Sequence, residues 1–155
     1  AYFLPASGCS PTVGELRRWL VPRLPEHMVP SHFVPLAAWP LAPNGKIDRR
    51  ALPAPDARRP HLDAPYVAPR TTLERELVEV WQTTLHVEPI GVDDPFVDLG
   101  GTSILAMRIL AWITTRFASR VPTRRFFEAG TVAGLALLLD GHSGLRATAQ
   151  AEGHR

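Results

Sequence analysis

Asp98-Leu99-Gly100-Gly101-Thr102-Ser103-Ile104 separates two unlike stretches of this chain. Upstream, from Leu85 to Thr102, no apolar period is sustained. Downstream, Ile104, Met107, Ile109, Leu110, Ile113 and Phe117 recur at helical spacing and predict a helix from Ser103 to about Phe117. Those positions cover more than half of the helix circumference, so this helix is expected to be the most buried one. Gly100 and Gly101 let the backbone turn tightly with no β-carbon in the way. Ser103 is then expected at a helix N-terminus with its hydroxyl partly exposed. Unpaired N–H groups and the positive end of the helix dipole make that place favourable for a phosphate. Taken alone, the same heptapeptide equally suits a plain N-cap serine after a glycine turn.

The flanking sequence predicts further helices. Thr71 and Glu74 have the spacing of a capping box, and Leu73, Leu77, Val80 and Trp81 predict the buried stripe of a helix ending near Thr84. Phe126 and Phe127 fall on a short helical turn after Pro122. Thr131 precedes a last helix whose core face is Val132, Leu135, Leu138 and Leu139. Three main helices and one short one in roughly 75 residues make a small bundle. The connection from Leu85 to Thr102 is long, and long connections inside small domains are often functional.

The N-terminal third reads differently. Ala1 to Leu4 predicts a short strand stopped by Pro5. Thr12 and Glu15 form a second capping box, opening a helix expected to run to about Leu24, with Val13, Leu16, Leu20 and Leu24 on one face. Pro22 and Pro25 make its end ragged. His32-Phe33-Val34 reads as a short strand, and Pro40 to Lys46 as a loop. Pro53, Pro55, Pro60, Pro65 and Pro69 then exclude helix and central strand, which predicts a semi-extended linker. Charge changes at the same place. Residues 1–65 hold eight basic and five acidic residues, and residues 66–140 hold seven and nine. The expected division is residues 1–53, a linker over 54–69, a helical domain over 70–140 and a tail over 141–155.

Composition narrows the function classes. The chain has 155 residues, 45% hydrophobic and 21% charged, an ordinary globular balance. No apolar run approaches the roughly 18 residues of a membrane span. The first residues lack the basic and apolar regions of a signal peptide, so a cytoplasmic protein without membrane partners is expected. Cys9 is the only cysteine, the six histidines are scattered, and Asp93-Asp94 has no further ligand set, so no metal site is expected. The arginine pairs Arg17-Arg18, Arg49-Arg50, Arg58-Arg59 and Arg124-Arg125 have no aromatic interleaving, which argues against a nucleic-acid partner. Trp19, Trp39, Trp81 and Trp112 read as core or interface residues, and Arg108 and Arg116 as solvated or partner-facing.

Asp94-Pro95-Phe96-Val97-Asp98-Leu99-Gly100-Gly101-Thr102-Ser103-Ile104 resembles the thiolation motif of peptidyl carrier proteins in nonribosomal peptide synthetases. The helix with Trp81, the loop Gly91-Val92-Asp93-Asp94, and Phe126-Phe127 before Thr131-Val132 are similar to that family as well. The resemblance covers about residues 66–140. It implies a mainly α carrier-protein four-helix bundle. It also implies that Ser103 carries a covalent 4'-phosphopantetheine, transferred from coenzyme A by a phosphopantetheinyl transferase with Mg²⁺. Asp98, Leu99, Gly100, Gly101, Thr102 and Ile104 complete the motif. One departure is Thr102, where the family more often has histidine or aspartate.

Asn44-Gly45-Lys46-Ile47-Asp48-Arg49-Arg50-Ala51-Leu52-Pro53 is the second motif. Lys46 is the only lysine among sixteen arginines, and Asn44-Gly45 supplies a tight turn that would project it. The segment resembles the last motif of adenylation domains, and Leu24-Pro25-Glu26-His27-Met28-Val29-Pro30 resembles the motif before it. That resemblance implies a lysine that reaches the acyl carboxylate and the α-phosphate during adenylate formation. Residues 1–53 would be an incomplete α+β fragment of the adenylation C-terminal subdomain. The segment has no Gly-rich phosphate loop, so ATP and Mg²⁺ are expected only with the adenylation core, and the chain alone is expected to be inactive. The other expected partners are a condensation, epimerisation or thioesterase domain.

Four rivals are weighed at this point. A chain that retains adenylation activity through Lys46 would itself be an enzyme, and the missing ATP site argues against it. A polyketide or fatty-acid carrier would use the same arm with another cargo, and residues 1–53 argue for the peptide system. A plain helical interaction module would use Ser103 only as a cap. A hydrolase would need a nucleophile elbow, but Gly101-Thr102-Ser103-Ile104-Leu105 lacks the second glycine and only His86 could serve as base in the helical unit.

Overall fold

Two capping boxes set the starts of two helices in the computed structural model, which describes residues 1–141. Thr12 accepts from Glu15 N while the Glu15 carboxylate accepts from Thr12 N, opening α1, Val13–Leu20. Thr71 and Glu74 repeat the arrangement at the start of α2, Thr72–Leu85. The Glu74 carboxylate also takes Arg70 N at 2.6 Å and Arg70 Nη2 at 2.8 Å, and these bonds hold it below the usual carboxylate range. Then follow α3, Ser103–Phe117, α4, Thr123–Ala129, and α5, residues 132–141. The expected tail lies outside the described residues except for Gly141, which is still helical. Two short strands, β1 (Tyr2–Phe3) and β2 (Val34–Pro35), pair in parallel with Tyr2 opposite Val34.

The chain is thus mainly α, with α2, α3, α5 and the short α4 forming the bundle. Its centre is aromatic. Trp81 meets Phe96 edge-on at 5.1 Å between centroids, and Phe96 meets Phe126 at 5.0 Å. Leu77, Ile109, Ile113, Val132 and Leu135 fill the space around them. Burying each such side chain contributes about 1.5–3 kcal/mol relative to exposure. On α2 the buried stripe is Leu77, Val78, Trp81 and Leu85, with Leu73 and Val80 at its margin. Arg116 is not simply solvated: its guanidinium makes two bonds to Glu76, at 2.9 and 3.0 Å, and ties α3 to α2.

Several elements differ from the expectation. α1 stops at Leu20, because Pro22 has no N–H to continue it; the next residues form turns, with Leu24 N on Leu20 O. The second strand lies at Val34–Pro35, slightly beyond His32-Phe33-Val34. On α3, Ala106, Ile109, Leu110 and Ile113 are buried, but Ile104 and Met107 are 72% and 56% exposed. The first turn of α3 overhangs the bundle, so apolar character there does not mean burial.

Residues 54–69 form no helix, as their prolines require, and are tied to the bundle at several points although most of them are exposed. Glu88 N donates to Ala57 O, Arg59 N donates to Glu88 O, and Val92 N donates to Val67 O. Leu62 is buried in the common core. Arg59 enters the bundle and makes two hydrogen bonds to Asp94, at 2.7 and 2.8 Å, and a third to Ala64 O at 2.7 Å. The Asp94 side chain is fully buried and also accepts from Gly91 N.

Candidate functional site

The connection from His86 to Thr102 is held by side chains at irregular intervals. Ile90, Val92, Phe96 and Leu99 are all buried, which is why no period marks them in the sequence. Two backbone bonds tie this connection to the joint between α4 and α5: Phe96 N to Gly130 O at 2.8 Å, and Ala133 N to Val92 O at 2.9 Å. After Phe96 the chain curls tightly. Asp98 N and Leu99 N both reach Pro95 O, and Gly101 N returns to Phe96 O at 2.9 Å. Gly100 has φ of +91°, a conformation that side chains with a β-carbon rarely adopt. A β-carbon on Gly101 would overlap the Phe96 ring. Both glycines are therefore required, one by its dihedral and one by its packing.

This curl delivers Thr102 as the N-cap of α3 and Ser103 as its first residue. Thr102 Oγ1 accepts from Leu105 N and Thr102 O accepts from Ala106 N. The capping role therefore belongs to Thr102, and the Ser103 hydroxyl is not used for it. Threonine is a competent N-cap, which accounts physically for its presence at this position. Ser103 is exposed, and no acidic side chain stands in the first turn of α3. The positive end of the helix dipole is consequently unopposed, which suits a phosphodiester on that hydroxyl. Exposed Ile104 and Met107 flank Ser103, and Thr123 Oγ1 lies 3.8 Å from Met107 Sδ, bringing the start of α4 alongside.

The family model described as the phosphopantetheine attachment site matches residues 75–139. An active-site mutant peptidyl carrier protein studied in solution has 32% identity and a TM-score of 0.51, covering 52% of this chain and 90% of that one. The chain belongs to the phosphopantetheine-attachment carrier family. A four-domain nonribosomal peptide synthetase bound to AMP and glycine has 31% identity and a TM-score of 0.50, over 90% of this chain and 10% of that one. Tyrocidine synthase 2 of Brevibacillus parabrevis is 45% identical over 127 residues, 82% of this chain. Chondramide synthase cmdD of Chondromyces crocatus is 49% identical over 122 residues, 79% of this chain. The chain spans 4% of the length of the first synthase and 3% of the second. It is a carrier module of the nonribosomal peptide synthetase type, and the group this family holds is a covalent 4'-phosphopantetheine.

The remaining sequence candidates lie elsewhere in this carrier protein. Lys46 is exposed on a turn closed by Gly45 N to Ala42 O and Ala42 N to Lys46 O, each 2.8 Å. Asn44 Oδ1 accepts from Lys46 N, and Gly45 has φ of +77°. Among the described residues no hydrogen bond or ion pair joins this turn to Ser103. Among the same residues no three His, Cys, Asp or Glu side chains come together as a metal-binding group, and no helix is long and apolar enough to cross a membrane.

Sequence reasoning passed over a second set of residues around the Gly100-Gly101 curl. Arg17 Nε lies 3.2 Å from Asp98 Oδ1, and Arg17 Nη2 donates to Ser31 O. Burial pushes Asp98 above the usual carboxylate range despite the nearby guanidinium. The His32 ring lies directly over Gly100, so close that a β-carbon there would come within 2.5 Å of Nε2. Burial, the amino terminus and Arg17 together lower the His32 imidazole from its ordinary value. No local pattern in the sequence could have paired residues so far apart.

Proposed function

We propose that Ser103 is the attachment point of the arm and that residues 70–140 are the carrier domain that holds an aminoacyl or peptidyl group on it as a thioester. The observation that carries this reading is an exposed serine hydroxyl at the first residue of α3, freed from capping by Thr102 and delivered by the Gly100-Gly101 curl. The Ser103 oxygen attacks the phosphorus of coenzyme A that bears the pantetheine. A new phosphorus–oxygen bond forms, the pyrophosphate link breaks, adenosine 3',5'-bisphosphate leaves, and the serine proton is lost to base. The arm's thiol then attacks an aminoacyl-adenylate made elsewhere, releasing AMP. We assign the loading step to a phosphopantetheinyl transferase acting in the cytoplasm, where coenzyme A is supplied. Exposed Ile104 and Met107 give such a partner an apolar foothold beside the serine.

Residues 1–53 are read as the later part of an adenylation C-terminal subdomain, with Lys46 serving adenylate formation once an adenylation core supplies ATP, Mg²⁺ and the amino acid. A downstream condensation, epimerisation or thioesterase domain would receive the thioester. The deciding experiment is intact mass after incubation with a phosphopantetheinyl transferase and coenzyme A. The chain should gain one phosphopantetheine, and Ser103→Ala should gain none. Labelling that persists in Ser103→Ala overturns the assignment. In a full-length synthetase, Lys46→Ala should suppress ATP–pyrophosphate exchange while Ser103 loads at the normal rate. A joint loss of both steps would remove Lys46 from adenylation.

A further inference from the structure

Two Arg–Asp pairs bracket the attachment loop, and they are built differently. Arg59 and Asp94 are joined by two aligned hydrogen bonds, with Asp94 fully buried. Arg17 and Asp98 are also largely buried, at 16% and 14% exposure, but Arg17 Nε has no hydrogen-bond partner. An ion pair buried without good alignment recovers little of its desolvation cost. The seam around this second pair is loosely filled. A cavity of about 250 Å³ remains between Phe3, Leu16 and Phe33 on one side and Pro60, Val87 and Leu99 on the other. Of residues 1–53, Val13 alone is buried in the common core, with Phe33 packed at its margin. The other seam contacts are polar: Val13 N to His61 O, Arg18 to Asp63 at 2.6 Å, and Thr12 to Asp63. A small, polar, imperfectly packed interface within one chain is of the kind that opens and closes.

The position of the pivot follows from the pinned residues. Tyr2 Oη donates to Pro53 O at 2.7 Å, fixing the end of the N-terminal part. Ala57 O accepts from Glu88 N at 2.8 Å, fixing the start of the bundle's own strap. Between them only Ala54-Pro55-Asp56 is left, and its polar side-chain contacts both run forward, Asp56 Oδ1 accepting from Arg58 N and Asp56 Oδ2 lying 3.9 Å from Arg58 Nε. We propose that residues 1–53 form a cradle that docks this chain's own attachment loop, closed by Arg17 against Asp98 and His32 over Gly100, and that it opens about a hinge at Ala54–Asp56. Residues 57–69 move with the bundle. Fully extended, the chain from Pro53 to Ala57 spans at most about 14 Å, against about 60 Å if everything up to Arg70 were free. Because Ser103 is exposed in the docked state, the cradle holds the loop without blocking the arm.

The full chain supplies its own probe. Cys9 is its only cysteine, is exposed, and lies on the N-terminal part. A nitroxide on Cys9 should broaden amide signals of the attachment loop in the natural sequence. Arg17→Glu should relieve that broadening, shift the Gly100 and Gly101 amides, and let residues 1–53 tumble faster than residues 70–140. Amides of residues 57–67 should keep the relaxation of the bundle. Combining Arg17→Asp with Asp98→Arg should restore the broadening, a rescue that a merely structural arginine would not give. If residues 1–53 lose signal dispersion in Arg17→Glu, Asp98→Asn decides by the same readout. Unchanged broadening and common tumbling in both variants would overturn the cradle, and residues 57–67 relaxing with the N-terminal part would overturn the hinge. The inference uses the carrier reading only to say what is docked. Arg17→Glu should still accept phosphopantetheine, whereas no mass gain in any variant would defeat the carrier reading and leave the docking result standing.

Discussion

The helical bundle and residues 1–53 place their large apolar side chains in opposite ways. In the bundle Trp81, Phe96, Phe126 and Leu77 are all below 2% exposure or at it. In the N-terminal part Trp19, Val21, Met28 and Leu41 are each more than half exposed, and Val13 and Leu36 are the buried hydrophobic residues there among those described. Arg23 stacks on Trp19 at 4.4 Å, a cover of one side chain over an exposed ring. The difference teaches that the bundle closes its core with its own sequence, and the N-terminal part draws what order it has from local turns and from its neighbours. It also explains why the bundle can present the exposed Ser103 hydroxyl on a rigid base.

The sharpest way to break this contrast is to remove the guanidinium that belongs to the strap but completes the bundle. Arg59→Ala leaves the Asp94 carboxylate buried with Gly91 N as its remaining partner, and should cost about 3–5 kcal/mol in urea unfolding of the bundle. If the bundle melts unchanged, Asp94 has found another partner and the strap is dispensable.

A smaller effect separates the two residues at the start of α3. Thr102→Ala removes the cap and should cost about 1 kcal/mol, with phosphopantetheine still accepted. Ser103→Ala should alter stability by no more than about 0.5 kcal/mol and abolish the mass gain. The comparison would fail if the serine variant proved the less stable of the two.

The smallest expected effect is acidification of the seam. The His32 imidazole is lowered below its ordinary value of 6.5, chiefly by burial, then by the amino terminus and Arg17. A depressed value means the docked state prefers the neutral ring. Its contribution is therefore complete above 6.5 and is lost as pH falls through the lowered value. Following the Gly100 amide and the His32 ring protons together by NMR should give coincident titrations below 6.5. A Gly100 signal that ignores the ring's titration would remove His32 from the cradle.

The helices, both capping boxes, the glycine curl and the exposed lysine turn were legible because each is written within a few consecutive residues. Thr71 and Glu74, or Asn44 and Gly45, need only local geometry to act. What escaped was non-local or non-periodic. Arg59 lies among prolines, with no sign that its partner is 35 positions away. Ile104 and Met107 carry the apolar signal of a buried face, yet the helix start overhangs its neighbours and leaves them in solvent. Asp94, beside Asp93, carries no local sign that it anchors an arginine. Apolar periodicity reports where a helix is, and it does not report how far along its length a neighbour extends.

The Arg59–Asp94 pair has a consequence for anyone exchanging such units between assembly lines. A junction cut at the end of the proline-rich stretch looks natural, but it takes Asp94 with the transplanted bundle and leaves Arg59 with the recipient. The graft would then depend on whatever residue the host happens to carry at that position. A cut at Asp56 transfers the strap, Leu62 and the arginine together with the bundle they complete. The boundary for recombination is therefore set by a buried carboxylate, and lies well upstream of the first helix that the unit needs.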